Sequence, residues 1–213
     1  MVKISLTIAR LKQNSTVLGP GCRAVIWTHG CSRGCPHCIA EDMHDSPPQA
    51  EYTPVALYEW VKGVEGIDGV TISGGEPFEQ NIEALGEFLR LAKGDPRQLS
   101  VMCYTGKLLE ELQNNSKTAE ILDYIDILVD GPYIYELNVG HKWRGSSYQR
   151  IYPLNPKFTD IVRDAENSFD RGIEIGLSAK MRLEVTGIPN PGFMDDLEHK
   201  LRETGYSLTY DTE

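Results

Sequence analysis

The feature that most constrains the fold is a repeated pattern, in which a short apolar segment ends at a glycine or polar cluster and a helical segment follows. The apolar segments cover residues 24–28, 70–73, 99–104 and 125–129. Thr53-Pro54 is a typical helix start, and apolar residues at helical spacing follow it, as they do after Ile82 and Leu108. Strands that alternate with helices are typical of right-handed βαβ units. The pattern therefore predicts an α/β fold with a parallel sheet.

The unusual residues of the chain come directly after these predicted strands. They are a cysteine-rich loop after Thr28, then Gly74-Gly75-Glu76, Tyr104-Thr105-Gly106 and Asp130-Gly131. In parallel α/β barrels the carboxyl ends of the strands form the rim at which ligands bind. Four such clusters on one rim predict a single site.

The two ends of the chain are less regular. Residues 1–10 alternate apolar and polar side chains, which predicts a strand. Beyond Pro156 we expect strands over 173–177 and 181–185, a helix over 195–203, and a closing strand over 206–210. In that helix Leu197 and Leu201 would face inward, and Gly205 would end it. We therefore expect a core domain over residues 1–156 and a C-terminal α/β extension, residues 157–213, that packs on the core.

Composition excludes several classes of protein. The net charge is −10 over 213 residues, and such a surface repels phosphate backbones, so we expect no nucleic-acid partner. No window approaches the ~20 apolar residues that span a bilayer, and the N-terminus lacks an apolar signal core. The five cysteines are an odd number, which argues against a disulfide framework. These observations predict a cytoplasmic protein without a membrane partner.

Three of the cysteines, Cys31, Cys35 and Cys38, lie within eight residues and indicate a metal site. Structural zinc normally takes four ligands, and a histidine would have to supply the fourth here: His29, His37 or His44. A thioredoxin-type pair would use Cys35 and Cys38 but leaves Cys31 unexplained. Three clustered thiolates can instead bind three irons of a cubane cluster, and the fourth iron is then open for a ligand.

The segment Gly74-Gly75-Glu76-Pro77 offers a place for such a ligand. Glycines permit close approach of the backbone, and a carboxylate can bind an ammonium group. Alone this segment is a weak signal, and an ordinary turn is the alternative. It gains weight because it follows one βα unit after the cysteine loop.

Together, Cys31-x3-Cys35-Pro36-His37-Cys38 and Gly74-Gly75-Glu76-Pro77 resemble the radical SAM superfamily. The resemblance implies a partial (β/α)6 TIM-like barrel. It also implies a [4Fe-4S] cluster on the three cysteines that reductively cleaves S-adenosyl-L-methionine (SAM) to a 5′-deoxyadenosyl radical, with no catalytic side chain beyond the cluster and SAM. The implied SAM contacts are His37, Cys38, Ile39, Ser73, Gly74, Gly75, Glu76, Thr105, Asp130, Gly131, Pro132 and Tyr133.

Three of these contacts carry specific expectations from the resemblance. His37 would lie along the adenine, or alternatively at the surface. Glu76, with its two glycines, would hold the amino group of SAM. Asp130 would lie near the methionyl carboxylate and hold a cation there, or alternatively act as a structural cap.

Longer segments are similar to the anaerobic ribonucleotide reductase activating proteins. They are residues 19–30, Tyr104-Thr105-Gly106, residues 127–133 and residues 144–150, within a similarity that covers about residues 14 to 152. That family implies an oxidoreductase that installs a glycyl radical on a partner enzyme, an anaerobic ribonucleotide reductase, with flavodoxin or ferredoxin as the electron donor. The chain departs from the family at Tyr148, where asparagine is expected, and in continuing some 60 residues beyond the last segment.

Two other functions remain open from the sequence. A stand-alone radical SAM enzyme would modify a small molecule or peptide, with the C-terminal extension as a lid and Trp143, Arg144 and Arg150 as substrate contacts. A non-catalytic iron–sulfur or zinc protein would not need the Gly-Gly-Glu segment. Cys22 and Cys103 are too few to bind an auxiliary cluster.

Overall fold

The structure, a computed structural model, describes residues 4–45, 48, 50–177 and 183–208. Within these residues the strands and α-helices are, in chain order, β1 (Leu6–Ser15), β2 (Arg23–Thr28), β3 (Ala50–Tyr52), α1 (Pro54–Lys62), β4 (Gly69–Gly74), α2 (Ile82–Lys93), β5 (Ser100–Tyr104), α3 (Leu109–Gln113), α4 (Ser116–Leu122), β6 (Ile127–Asp130), β7 (Arg150–Pro153), α5 (Thr159–Glu166), β8 (Ile173–Leu177), β9 (Leu183–Gly187) and α6 (Phe193–Glu203).

Seven strands form one sheet in the order β3-β1-β2-β4-β5-β6-β7. The α/β prediction is confirmed, and β2, β4, β5 and β6 are parallel as expected. The sheet is mixed rather than parallel throughout, because β1, β3 and β7 join its two edges in antiparallel pairs. The parallel registers pair Thr28 with Gly74 and Tyr104 with Val129, so the carboxyl ends of the four central strands lie side by side.

Local signals in the sequence account for the helices. The Thr53 hydroxyl accepts a hydrogen bond from the amide of Ala56 at 3.2 Å, which caps α1 as predicted. Asn81 caps α2 in the same way. The helical segment after Leu108 divides into α3 and α4 because Asn115 caps a new helix. Burial of the leucine and phenylalanine side chains that these helices turn toward the sheet stabilises the fold by about 1.5–3 kcal/mol each.

Arg23 ties together the amino ends of three central strands, away from the rim. Its guanidinium is fully buried and donates to the Thr71 hydroxyl at 2.6 Å and to the Ser100 hydroxyl at 2.9 Å. It also donates to the carbonyl oxygens of Pro20, Val70 and Ser100. Burial lowers the pKa of Arg23 to about 10, and these five acceptors offset the cost of burying the cation.

The C-terminal part has one helix on the core and a separate hairpin. Val162 and Ala165 of α5 are buried against a cluster that includes Met102 and Trp143. Strands β8 and β9 form a two-stranded antiparallel sheet. Glu174 of β8 anchors this hairpin, because its carboxylate accepts from the amide of Thr16 at 2.7 Å.

The remaining C-terminal expectations are met in part. Helix α6 begins at Phe193, two residues before the predicted start, and Leu197 and Leu201 are half-buried. A closing strand was predicted over residues 206–210, but residues 206–208 belong to no strand, and Thr209 and Tyr210 lie outside the described residues. Met181, the predicted start of the preceding strand, also lies outside them. No helix in the described ranges combines the length and apolar composition needed to cross a bilayer.

Candidate metal and cofactor site

The cysteine loop starts where β2 ends, and backbone hydrogen bonds hold it against the loop after β4. The amide of Gly75 donates to the Thr28 carbonyl at 2.7 Å, and the amide of Glu76 donates to the Gly30 carbonyl at 2.8 Å. The amide and hydroxyl of Ser32 both donate to the Glu79 carboxylate, at 2.8 and 2.5 Å. The first cysteine, between Gly30 and Ser32, is therefore fixed relative to the Gly-Gly-Glu segment.

Two glycines are required for this close approach. A Cβ added to Gly75 would lie 2.1 Å from the Gly30 carbonyl oxygen, and one added to Gly74 would lie 2.5 Å from that of Thr28. Gly74 also has a φ of +97°, in the region that favours glycine. No side chain fits between the two loops, so the glycines bring backbone next to the cysteine loop, as the sequence indicated.

Glu76 joins the loops after β4 and β5. Its carboxylate accepts from the Thr105 hydroxyl at 2.7 Å, from the Gly106 amide at 2.7 Å and from the Phe78 amide at 3.0 Å. The side chain is buried, and burial raises the pKa of Glu76 although these bonds oppose the rise. Three donors leave little free capacity on the two oxygens, so the structure gives this carboxylate a role in holding the loops together.

One cavity of ≈ 1530 Å³ lies at the rim and reaches most of the predicted site residues. The predicted residues that line it are Cys31, Cys35, His37, Cys38, Ile39, Ser73, Gly74, Gly75, Glu76, Thr105, Gly131 and Tyr133. Segments from the ends of β2, β4, β5 and β6 thus meet at one place, which is the prediction made from the strand-end clusters.

Asp130 and Pro132 do not line this cavity. The buried carboxylate of Asp130 accepts from Nε and Nη2 of Arg150, at 3.0 and 2.5 Å, and from the Leu109 amide at 2.7 Å. Glu110 binds the outer side of the same guanidinium, and the two carboxylates raise the pKa of Arg150. Asp130 thus caps α3 and anchors β7, as its structural interpretation predicted.

The donor set fits an iron–sulfur cluster. Cys31, Cys35 and Cys38 are free thiols at intermediate exposure, and burial raises the pKa of the Cys31 and Cys38 thiols. Iron binding requires that they deprotonate. Within the described part of the chain, no three His, Cys, Asp or Glu side chains converge on one position for a metal ion. Three free thiols of one loop that line the same cavity match the cysteine ligands of an iron–sulfur cluster.

Of the other histidines and cysteines considered for metal binding, His37 and His44 line the cavity, whereas Cys22 and Cys103 do not. His37 is exposed, has a φ of +57°, and its ring lies 4.5 Å from that of Tyr135 at the cavity wall. His44 also lines the cavity. Cys103 is buried in the core, and burial raises its pKa well above the ordinary value, whereas Cys22 is half-buried near Asn14; neither lines the cavity.

Comparison with known families now bears on this donor set. The model of the 4Fe-4S single cluster domain family matches residues 17–152, which include the cysteine loop and all four strand-end segments. The chain belongs to the 4Fe-4S single cluster domain family. The predicted [4Fe-4S] cluster is confirmed by this membership.

Curated relatives of this 4Fe-4S single cluster protein share one name, anaerobic ribonucleoside-triphosphate reductase-activating protein. The relative from Enterobacteria phage T4 is 30% identical over 139 residues, which cover 64% of this chain and 86% of the relative. The relative from Vibrio cholerae is 29% identical over 142 residues, covering 64% and 90%. That from Escherichia coli K12 is 26% identical over 144 residues, covering 65% and 92%. The resemblance stated from the sequence is thereby confirmed.

Sequence reasoning missed two parts of the site in this 4Fe-4S single cluster protein. The Gln149 side chain accepts from the Gly145 amide at 2.8 Å and donates to the Gly131 carbonyl at 3.1 Å, so it fixes one cavity wall. Its segment was noted in the sequence, but no role was assigned to this residue. A second wall comes from the C-terminal extension, where residues 183–191 all line the cavity. The sequence predicted a strand over residues 181–185 but not the place of that strand.

Proposed function

We propose that the chain is a radical SAM enzyme that installs a glycyl radical on a partner protein. When bound, the reduced cluster supplies the electron that splits SAM into methionine and a 5′-deoxyadenosyl radical. Cys31, Cys35 and Cys38 would bind three irons of the cluster. With three cysteines as the protein ligands, the fourth iron would be left for the amino and carboxylate groups of SAM.

The observation that carries this proposal is the shared cavity, in which the three thiols and the glycines of three strand-end loops face the same space. Gly74 and Gly75 would present backbone to the amino group of SAM, with Glu76 holding the loop in place. His37 and Ile39 would lie along the adenine, and Ser73, Thr105, Gly131 and Tyr133 would complete the walls. Asp130 and Pro132 would shape the turn behind that wall.

The architecture is consistent with the finer fold prediction. We take the seven-stranded sheet, with four parallel strands and helices on its outer side, to be the partial (β/α)6 barrel of a radical SAM core. Its interior side packs on clusters that include Trp27 and Trp143. We assign residues 1–156 to this core and 157–213 to an extension that packs on it.

The names of the relatives indicate the partner. Because those proteins are named as activators of anaerobic ribonucleoside-triphosphate reductase, we propose that such a reductase is the substrate of this chain. Glycine suits the reaction, since it has no side chain to obstruct approach to the Cα hydrogen. We expect a cytoplasmic enzyme whose electron donor is a flavodoxin or ferredoxin.

The test is an anaerobic mixture of reconstituted chain, reductant, SAM and the anaerobic ribonucleoside-triphosphate reductase of the same organism. We expect about four irons per chain and an EPR doublet from a glycyl radical. Omitting SAM is the matched control and should abolish the doublet. Iron loading and SAM cleavage without a doublet would refute the assignment of this partner, and one zinc per chain without iron would refute the cofactor.

A second candidate function has one observation in its favour. The extension lines the cavity along residues 183–191, as a lid over a small-molecule or peptide substrate would. The substrate contacts expected for that function do not lie there, because Trp143 is buried, Arg144 donates to the Gln149 carbonyl and Arg150 binds Asp130. The glycyl-radical function therefore remains the better supported one.

A further inference from the structure

Strand β9 faces the cavity with its edge. Side chains of a strand point alternately to its two faces, so a wall made by one face would include every second residue. Here every residue from 183 to 191 lines the cavity, including both the half-buried Val185 and the buried Thr186 on the opposite face. Residues of both faces of β9 therefore border the space, as they do when a strand presents its backbone edge to it.

That edge has backbone groups available for pairing. Strand β9 belongs to a two-stranded sheet, in which it pairs along one edge with β8 and, among the described residues, with no strand along the other. Among the described residues, the amides and carbonyls of 183–187 make no backbone hydrogen bond outside the hairpin. In an antiparallel pair every second residue directs its N–H and C=O away from its partner, so β9 presents a row of donors and acceptors to the cavity.

The surroundings of this edge are apolar. On one face of the hairpin Leu177 pairs with Leu183, and Ile175 pairs with Val185. Leu177 and Ile39 both line the cavity, and they are 64% and 55% exposed. An extended segment on the edge of β9 would bury side chains against this surface while its backbone pairs with the strand.

We propose that β9 is a docking strand: an extended segment of the partner, with the glycine that becomes the radical, adds to its free edge as a third strand. This inference rests on the proposed function, in which the substrate is a peptide backbone that must enter this cavity. Five residues of β9 match a segment of about five residues, roughly 17 Å long. Because glycine has no side chain, a glycine in the added strand leaves both Cα hydrogens accessible inside the cavity that the three cysteines also line.

Hydrogen–deuterium exchange tests this, using the reductase that acquires the glycyl radical in the experiment above. The amides of 183–188 should exchange at least about tenfold more slowly in the complex, whereas α5 serves as the internal control and should not change. A glycyl radical formed by a complex in which 183–188 stay unprotected would overturn the docking strand and leave the proposed function standing. Slowing that depends on the concentration of this chain without reductase would indicate a second copy on the edge and would also overturn it.

Two neighbouring proline variants give a matched pair. Amides of adjacent residues point to opposite edges of a strand, so one of Glu184→Pro and Val185→Pro removes a donor from the free edge and the other removes one from the hairpin. Exchange of the β8 amides identifies the variant with an intact hairpin. That variant should lose at least about tenfold in glycyl radicals formed per 5′-deoxyadenosine released. An unchanged radical yield in that variant would overturn the docking strand.

Discussion

Replacing Gly75 with alanine tests the close approach on which the site depends. The new Cβ would lie 2.1 Å from the carbonyl oxygen and 2.9 Å from the amide nitrogen of Gly30, so both contacts are with backbone. To reach an ordinary separation, the two loops must part by about 1 Å. Overpacking of this kind costs about 1–3 kcal/mol of stability, and a 1 Å misplacement at a reacting centre costs about 100-fold in rate.

The assay is 5′-deoxyadenosine release from SAM by the reduced, reconstituted protein, with thermal unfolding measured in parallel. Gly63→Ala is the matched control, because Gly63 ends α1 with a φ of −73° and its nearest new contact would be 3.4 Å away. We expect the Gly75→Ala variant to lose about 100-fold in rate and the Gly63→Ala variant to stay within about twofold of the unsubstituted protein. An undiminished rate and stability in Gly75→Ala would refute the role assigned to this approach.

Two further predictions concern stability. Arg150→Ala should destabilise the fold by about 1–3 kcal/mol, because it leaves the buried Asp130 carboxylate without its cation. Glu110→Gln, at the exposed side of the same guanidinium, should leave stability nearly unchanged, and equal losses in urea unfolding would contradict this. The Asp95 carboxylate forms a hydrogen-bonded ion pair with Arg97, which lowers the pKa of Asp95 to about 2. The pair therefore contributes about 2 kcal/mol to the free energy of unfolding above pH 4, and this contribution is lost as the pH falls to about 2. Asp95→Asn should therefore be less stable than the unsubstituted protein at pH 7 but equal to it near pH 2, and a pH-independent difference would contradict the ion pair.

The rim of the site was predictable because its signals are local. The adjacent residues Gly74-Gly75 and Thr105-Gly106 indicate where a strand ends and where the backbone can approach another segment closely. The cap at Thr53 and the break at Asn115 are local signals of the same kind. Once the four central strands are recognised as parallel, their carboxyl ends must meet at one edge of the sheet, and the cavity follows.

The remaining features depend on contacts between distant segments. Nothing near Asp130 in the sequence shows that its carboxylate is bound by Arg150, a contact that exists because β7 returns antiparallel to β6. The sequence predicts a strand over 181–185 but not which of its edges faces the cavity. The mixed character of the sheet has the same origin, since antiparallel pairing of β1 and β7 is decided by chain reversal and not by their composition.

The central claim is that Cys31, Cys35 and Cys38 bind the cluster that cleaves SAM, and 5′-deoxyadenosine release by cysteine variants tests it most directly. Cys22→Ala is the matched control, since Cys22 is half-buried outside the cavity. We predict that reduced, iron-reconstituted Cys22→Ala protein releases 5′-deoxyadenosine at the rate of the unsubstituted chain, whereas Cys35→Ala releases none. Release by Cys35→Ala at the unsubstituted rate would contradict the claim.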